Sequence, residues 1–232
     1  MSKIIGDDIG SVKLLQHMGE DITIVNAARA SLDKFSTEFG PLEERLLKFV
    51  TKHGHTSTFE HNFATFYFKV PMFVARQHMR HRTFSYNEIS RRYTAENIEF
   101  FVPDHFRAQD TKNRQASLPD QIEGDVSFNG ERVPGLEAVR QQAAQSLDLY
   151  NQLIDLGVAR EQARGVLSQN IYTTYWASGN LHNWLNSFVA KRAHPDAQHE
   201  MQLVAREVYA QLVKLWPKSC TEWAKHKDVN LC

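Results

Sequence analysis

Cysteine is scarce. The 232-residue chain has two, Cys220 and Cys232, and neither sits in a C-x-x-C pair or at zinc-site spacing, which argues against a disulfide framework and a structural zinc. An excess of either charge is also missing. The 27 basic and 27 acidic residues cancel, so no global field draws the protein to polyanions or membranes, and a phosphate ligand must be held by a local basic cluster. No apolar run approaches the ~20 residues of a membrane span, and Met1-Ser2-Lys3-Ile4-Ile5-Gly6-Asp7-Asp8 is too acidic and too briefly apolar for a signal peptide. The expectation is a soluble, cytoplasmic protein with neither a membrane nor a nucleic-acid partner. There is no internal repeat or low-complexity tract, and the length suits one sizeable core, so residues 1–232 are read as one domain.

What is present is periodicity. Val12 and Leu14 read as a short strand, and Asp21 as the N-cap of a helix over Ile22 to Ala30. Pro41 fits the first turn of a second helix, whose Leu42, Leu46, Phe49 and Val50 recur at helical spacing up to the His53-Gly54-His55 turn. Phe63 to Val70 is dense in aromatic and β-branched residues, as in a strand covered on both faces; Pro71 ends it and can open a helix from Met72 to about Arg82. Alternation of Ile98, Phe100 and Val102 predicts another strand, closed by Pro103. Residues 104–134 are polar, broken by Pro119, Gly124, Gly130 and Pro134, and read as a mobile excursion over the surface. Apolar residues then step by three and four, from Leu136 to Ile154 and again from Met201 to Leu215 before Pro217. The expected class is α+β, a small early β-sheet packed with a helix-rich second half.

Chemistry concentrates at residues 76–92. On a helix reaching Arg82, Gln77, Arg80 and His81 stand at i, i+3 and i+4 and share one polar face. Arg82, Asn87, Glu88, Ser90, Arg91 and Arg92 follow within a short span. A nucleotide needs this mixture: arginine forks take phosphate bidentately, a hydroxyl or loop amides complete the cradle, and a carboxylate accepts from a ribose hydroxyl. The competing reading is a solvated basic face paired with nearby acids. A second feature is Arg192, four residues past Phe188 on the apolar stripe of Leu181, Trp184, Leu185 and Phe188. A cation there is partly desolvated and needs an anionic or carbonyl partner.

Arg80-His81-Arg82, seven residues, then Ser90 is the R-H-R-x7-S signature of the flavin-dependent thymidylate synthases, and the chain resembles that family along nearly its whole length. Upstream it does so in Gly54-His55, Phe59-Glu60-His61 and Phe73-Val74-Ala75-Arg76-Gln77; downstream in Ser85-Tyr86-Asn87-Glu88 and Arg91-Arg92-Tyr93. The likeness continues in Met18-Gly19-Glu20-Asp21, Ala27-Ala28-Arg29-Ala30-Ser31, Asn113-Arg114-Gln115-Ala116-Ser117, Glu161-Gln162-Ala163-Arg164, Asn180-Leu181-His182, and Arg192 followed by Ala197-Gln198-His199-Glu200.

The resemblance implies a site for dUMP and FAD side by side. Gln77, His78, Met79 and Arg80 would line the dUMP side; Glu88, Ile89, Ser90, Arg91 and Arg92 would hold dUMP, with Ser90 in its phosphate and sugar cradle. Arg164 would add a cation, the alternative being an ordinary i, i+3 ion pair with Glu161. Arg192 would be the catalytic arginine, polarising the uracil ring and favouring ionisation at its N3. FAD would meet Arg80, His81 and Arg82, together with Ser31, His55 and Ser57, for which turn or capping roles compete. It would also meet Asn180, Leu181, His182 and either Asn186 or Ser187, a choice left open because the chain carries one extra residue before Arg192. Two departures stand out: His182 replaces a common arginine, and Ser168 a common proline after Leu167.

Uracil C5 is a poor nucleophile, which cysteine-dependent thymidylate synthases activate by adding a thiolate to C6. Cys220, in Ser219-Cys220-Thr221, lacks their proline-cysteine-histidine context, and Cys232 is the last residue. The resemblance therefore implies that FAD replaces covalent activation, with NADPH as reductant, methylenetetrahydrofolate as one-carbon donor, and a homotetramer sharing its active sites. Two other readings are weighed against this. A nucleic-acid module using Arg76, Arg80, Arg82, Arg91 and Arg92 is opposed by zero net charge and the lack of a reader motif. A metal site from His53, His55, His61 or His81 lacks H-E-x-x-H spacing and a cysteine partner, so the metal expectation is none.

Overall fold

A computed structural model describes residues 4–94 and 96–231. In chain order its elements are β1 (Ser11–Met18), α1 (Asp21–Arg29), α2 (Pro41–Lys52), β2 (Phe63–Pro71), α3 (Met72–His78) and β3 (Ser85–Glu88). Four short strands follow, β4 (Phe106–Gln109), β5 (Ser117–Ile122), β6 (Asp125–Phe128) and β7 (Glu131–Pro134). Then come α4 (Gly135–Asp155), α5 (Arg160–Ala163), β8 (Tyr172–Asn180), a π-helical stretch Asn183–Val189 that runs into α6 (Ala190–Arg192), α7 (His199–Leu215) and α8 (Pro217–Ala224).

Four antiparallel strands in the order β1-β2-β8-β3 form the main sheet. β2 and β8 pair in unbroken register from Phe63↔Asn180 to Pro71↔Tyr172. Since side chains alternate across a strand, Ala64, Phe66, Phe68 and Val70 share the core face with Tyr175 and Ala177, and all six are buried. Tyr67 and Lys69 point the other way and are half-exposed, with Trp176 exposed beside them, so within one chain β2 is covered on one face, not on both as expected. The sheet is not confined to the early chain either: β8, from the second half, lies between β2 and β3.

The helical stripe Leu181, Trp184, Leu185 and Phe188 packs onto the core face and is fully buried. Trp184 meets Phe66 edge-on, stacks on Phe68 and donates its indole N–H to the Ala64 carbonyl (3.1 Å), so that its own polar group is satisfied. Phe84 closes this cluster from the signature side. A Cβ on Gly179 would lie 2.5 Å from the Phe84 ring, so only glycine lets β8 and that ring approach.

Several boundaries differ from expectation. The N-cap of α1 is Glu20, whose N–H donates to Thr23 Oγ1 (3.0 Å). Asp21 instead takes the Lys218 and Ser219 amides (3.0 and 2.9 Å), capping α8 from outside that helix. α3 stops at His78, four residues short of Arg82, so Gln77, Arg80 and His81 do not share a helical face. Ile98 to Val102 forms no strand beyond the single bridge Phe100↔Ile171. Residues 104–134 fold into two hairpins, β4–β5 and β6–β7, the second around Asn129-Gly130 with φ of 52° and 86°, the left-handed pair that a tight two-residue turn requires. No helix among the described residues is long and apolar enough to cross a membrane.

Candidate functional site

His78, the last residue of α3, enters the core. Its ring lies within 4.3 to 6.1 Å of the rings of Phe68, His81, Phe84, Tyr86, Tyr175, Trp184 and Phe188, and Nδ1 meets the Tyr175 hydroxyl at 3.0 Å. Burial, then the nearby His81 and Arg192, holds its pKa well below the usual histidine range. It is thus a neutral core ring and not the dUMP-facing residue that the resemblance implied. Leu181, expected at the flavin, is likewise enclosed, its N–H on the Asn62 carbonyl at 2.8 Å.

Beyond α3 the chain turns sharply and Tyr86 staples the turn, donating to the His78 and His81 carbonyls (2.7 and 3.1 Å). This brings His81 against Arg192. Arg192 Nε donates to His81 Nε2 (2.8 Å), and one terminal guanidinium nitrogen donates to the Gln77 carbonyl (3.0 Å). The carbonyl partner anticipated for this cation is therefore present. His81 can accept only while neutral, and burial, followed by the charge of Arg192, lowers its pKa to about 4. The arginine keeps its charge, and a second terminal nitrogen remains free to donate.

Several other residues of the signature segment face outward. Arg80 and Arg82 are exposed, and neither guanidinium has a hydrogen bond or ion pair within the described chain. Met79 packs on the edge of the core. Glu88, at the end of β3, accepts from Thr173 Oγ1 (2.6 Å); the Ile89 amide bonds the Thr174 carbonyl (2.9 Å), and Ser90 Oγ accepts the Arg92 amide (3.3 Å). Arg92 lies over the Tyr93 ring at the surface. Arg91 departs from this pattern: its guanidinium turns inward to the carbonyls of Glu96 (2.8 Å), Asn97 and Tyr172 (3.5 Å each), a scaffold role in place of a phosphate contact by the side chain. Arg164 stands on the turn after α5 and meets the Glu161 carbonyl (3.4 Å), not its carboxylate, with no bond to the Arg192 group.

The remaining expected flavin residues divide between two places. His55 and Asn186 line one cavity of about 190 Å³ with Gly54 and Trp223. Asn186 is fixed there, its amide on His182 Nδ1 and its oxygen accepting from Trp223 Nε1, both at 3.0 Å. Asn180 Oδ1 caps the Asn183 amide (2.8 Å). Ser31 and Ser57 lie exposed on 3-10 turns; neither lines that cavity, although Thr56 and Phe59, on the turn of Ser57, do. His53 and His55 pack against Phe49, and no cluster of three metal-ligating side chains occurs among the described residues.

Three residues that carried no role in the sequence, Gln198, Glu200 and Arg107, belong to the site's support. Gln77 donates its side-chain amide to Gln198, Gln198 donates to Glu200 (2.9 Å), and Arg107 of β4 holds the other oxygen of the buried Glu200. The signal available was the Ala197-Gln198-His199-Glu200 match, which named Gln198 and Glu200 without saying what they touch; nothing pointed to Arg107.

Residues 13–218 match the family model described as thymidylate synthase complementing protein. A flavin-dependent thymidylate synthase of Thermus thermophilus is 42% identical over 207 residues, 89% of this chain and 72% of that protein. The enzyme of the same name from Kosmotoga olearia is 36% identical over 211 residues, 91% of this chain and 86% of that one. Among solved structures, the UMP/dUMP methylase PolB from Streptomyces cacaoi bound with 5-Br UMP superposes with a TM-score of 0.78 at 28% identity, covering 95% of this chain and 96% of the other.

Proposed function

The chain belongs to the flavin-dependent thymidylate synthase family, and from that premise we propose how its own residues serve the methylation of dUMP to dTMP. The flavin is FAD, NADPH the reductant and methylenetetrahydrofolate the one-carbon donor. The donor set fits such a cofactor: the free guanidiniums of Arg80 and Arg82 suit a diphosphate, and the His55–Asn186 cavity offers ring and amide contacts. When bound and reduced, FAD supplies the hydride that completes the methyl group.

The observation that carries the reading is the Arg192–His81–Gln77 arrangement. A neutral imidazole and a carbonyl fix the guanidinium in place without neutralising it, so its charge is preorganised for negative charge developing on the uracil ring. Ser90, Arg92 and the main chain around Ile89 position the nucleotide. Cys220 takes no part, being buried with its thiol pKa pushed far up by burial, and Cys232 lies outside the described residues.

Arg164 and Arg192 stand apart within one chain, and one sheet face is open, which together favour a homotetramer in which neighbouring protomers complete each site. The whole span 1–232 acts as one domain in this assembly, in the cytoplasm. The test is Arg192→Ala. In a folded variant that retains FAD, dTMP formation should fall by roughly 10²–10³, as for loss of one preorganised charge-stabilising donor, and Arg192→Lys should recover part of it. Near-wild-type turnover in Arg192→Ala sinks the assignment.

A further inference from the structure

We propose that a second cavity, between the β4–β5 hairpin and the start of α7, binds the phosphoryl group of a ligand. It measures about 470 Å³, and its titratable lining is entirely basic: His105, Arg107, His199 and Arg206, with no carboxylate among the lining residues. Neighbouring groups anchor both guanidiniums to the wall. Arg206 donates to the Asn230 carbonyl (2.9 Å) and to Gln202 Oε1 (3.4 Å), neutral acceptors that leave its charge intact. Arg107 donates to Ser117 Oγ (2.9 Å), and its other end is engaged by Glu200, which does not itself line the cavity. With no carboxylate in the lining and Glu200 held by Arg107, the charge of Arg206 is left for a ligand even with both histidines neutral.

His199 registers that field. Its pKa is lowered by burial first and then by Arg107; Glu200 opposes this, and Arg206 and His105 act in the lowering direction. A phosphoryl anion reverses this: it draws a proton onto His199, adding a charged donor to the two guanidiniums. None of the four basic residues is among those assigned above to dUMP or FAD, so the cavity adds a place for a further anion. The phosphoryl group has two sources, free phosphate or a phosphorylated nucleotide. Of the proposed reactants, NADPH carries a 2′-phosphate that NADH lacks. Only that choice of source rests on the proposed reductant.

The experiment titrates inorganic pyrophosphate into the intact protein held in saturating dUMP, following heat of binding and the His199 ring signals by NMR. Saturable binding with an upward shift of the His199 titration is expected. Arg206→Ala, shown to be folded by circular dichroism, should weaken it by roughly tenfold or more, the effect of losing one charged donor, and Arg206→Lys less. Undiminished pyrophosphate binding in folded Arg206→Ala, or no binding to the wild type in the presence of dUMP, overturns the proposal. A second arm compares KM for NADPH and NADH. A selective rise for NADPH in Arg206→Ala supports the nucleotide source, and unchanged KM values alongside lost pyrophosphate binding support free phosphate. Because the titration needs no turnover, its outcome is separable from whether dTMP is formed.

Discussion

Between Gln77 and Tyr86 the inward-facing polar side chain is a histidine; between Glu88 and Asn97 it is an arginine. His78 sheds its charge and is held mainly by aromatic rings. Arg91 cannot shed its charge, and burial lowers its pKa only against a very high starting value, so the chain must bring carbonyls to it, two from its own loop and one from Tyr172. The core ring of the first half is therefore held mainly by packing, with the Tyr86 hydroxyl stapling its turn, and the second half by hydrogen bonds from a buried cation. The exposed groups that face ligands, Arg80 and Arg82 on one side and Ser90 and Arg92 on the other, rest on supports of different physical kind.

The strongest challenge to that contrast is His78→Ala. Emptying a site enclosed by seven rings should cost about 3–5 kcal/mol, as large aromatic truncations do, which is much of a domain's stability. Urea denaturation reads it, and a loss below about 1 kcal/mol would mean that packing does not set the first half. Arg91→Met should cost about 2 kcal/mol, because carbonyls that faced a cation are left without it. Arg92→Ala, at the surface, should cost under about 0.5 kcal/mol while dUMP affinity falls. Equal stability losses in these two variants would erase the distinction between inward and outward arginine.

The gentlest probe is pH. His81 belongs to the packed half, and its folded pKa of about 4 lies below its usual 6.5. Between those values the unfolded chain binds the extra proton, so stability rises with pH through this window. The contribution is complete above about 6.5 and is lost as pH falls through about 4. NMR titration of the His81 ring should show its midpoint near 4 in the native protein and an upward move in Arg192→Met. A midpoint near 6.5 in the native protein would remove the neutral acceptor from beneath Arg192.

The signature was legible because its letters and spacing are fixed by chemistry, and the apolar stripe through Phe188 marked Arg192 as a cation in need of a partner, which the Gln77 carbonyl supplies. What the letters could not say was which member of a basic run turns inward. Arg91 and Arg92 differ only in what the fold brings to each. β8 went unread because Thr173, Thr174, Ser178 and Gly179 dilute its hydrophobic pattern, and its burial comes from β2 and Phe84, both distant in sequence. The 104–134 hairpins were missed for the opposite reason: strands as short as four residues, with mostly exposed side chains, leave little periodicity to find. The first-half helices, bounded by Glu20 and by Gly40-Pro41, came through within a residue or two.

The π-helical stretch Asn183–Val189 bears on the extra residue that the resemblance placed before Arg192. On a rigid α-helical rod, one added residue carries everything downstream round by about 100°, a phase error that would swing Arg192 off the face it shares with Phe188. A widened turn is the shim that takes up such an addition. Asn186 is left on the cavity side with His182 and Trp223, and the thread regains its pitch in time for Arg192 to arrive at His81. The same widened turn thus serves two neighbours at once, aiming Asn186 at the cavity and leaving Arg192 in reach of His81.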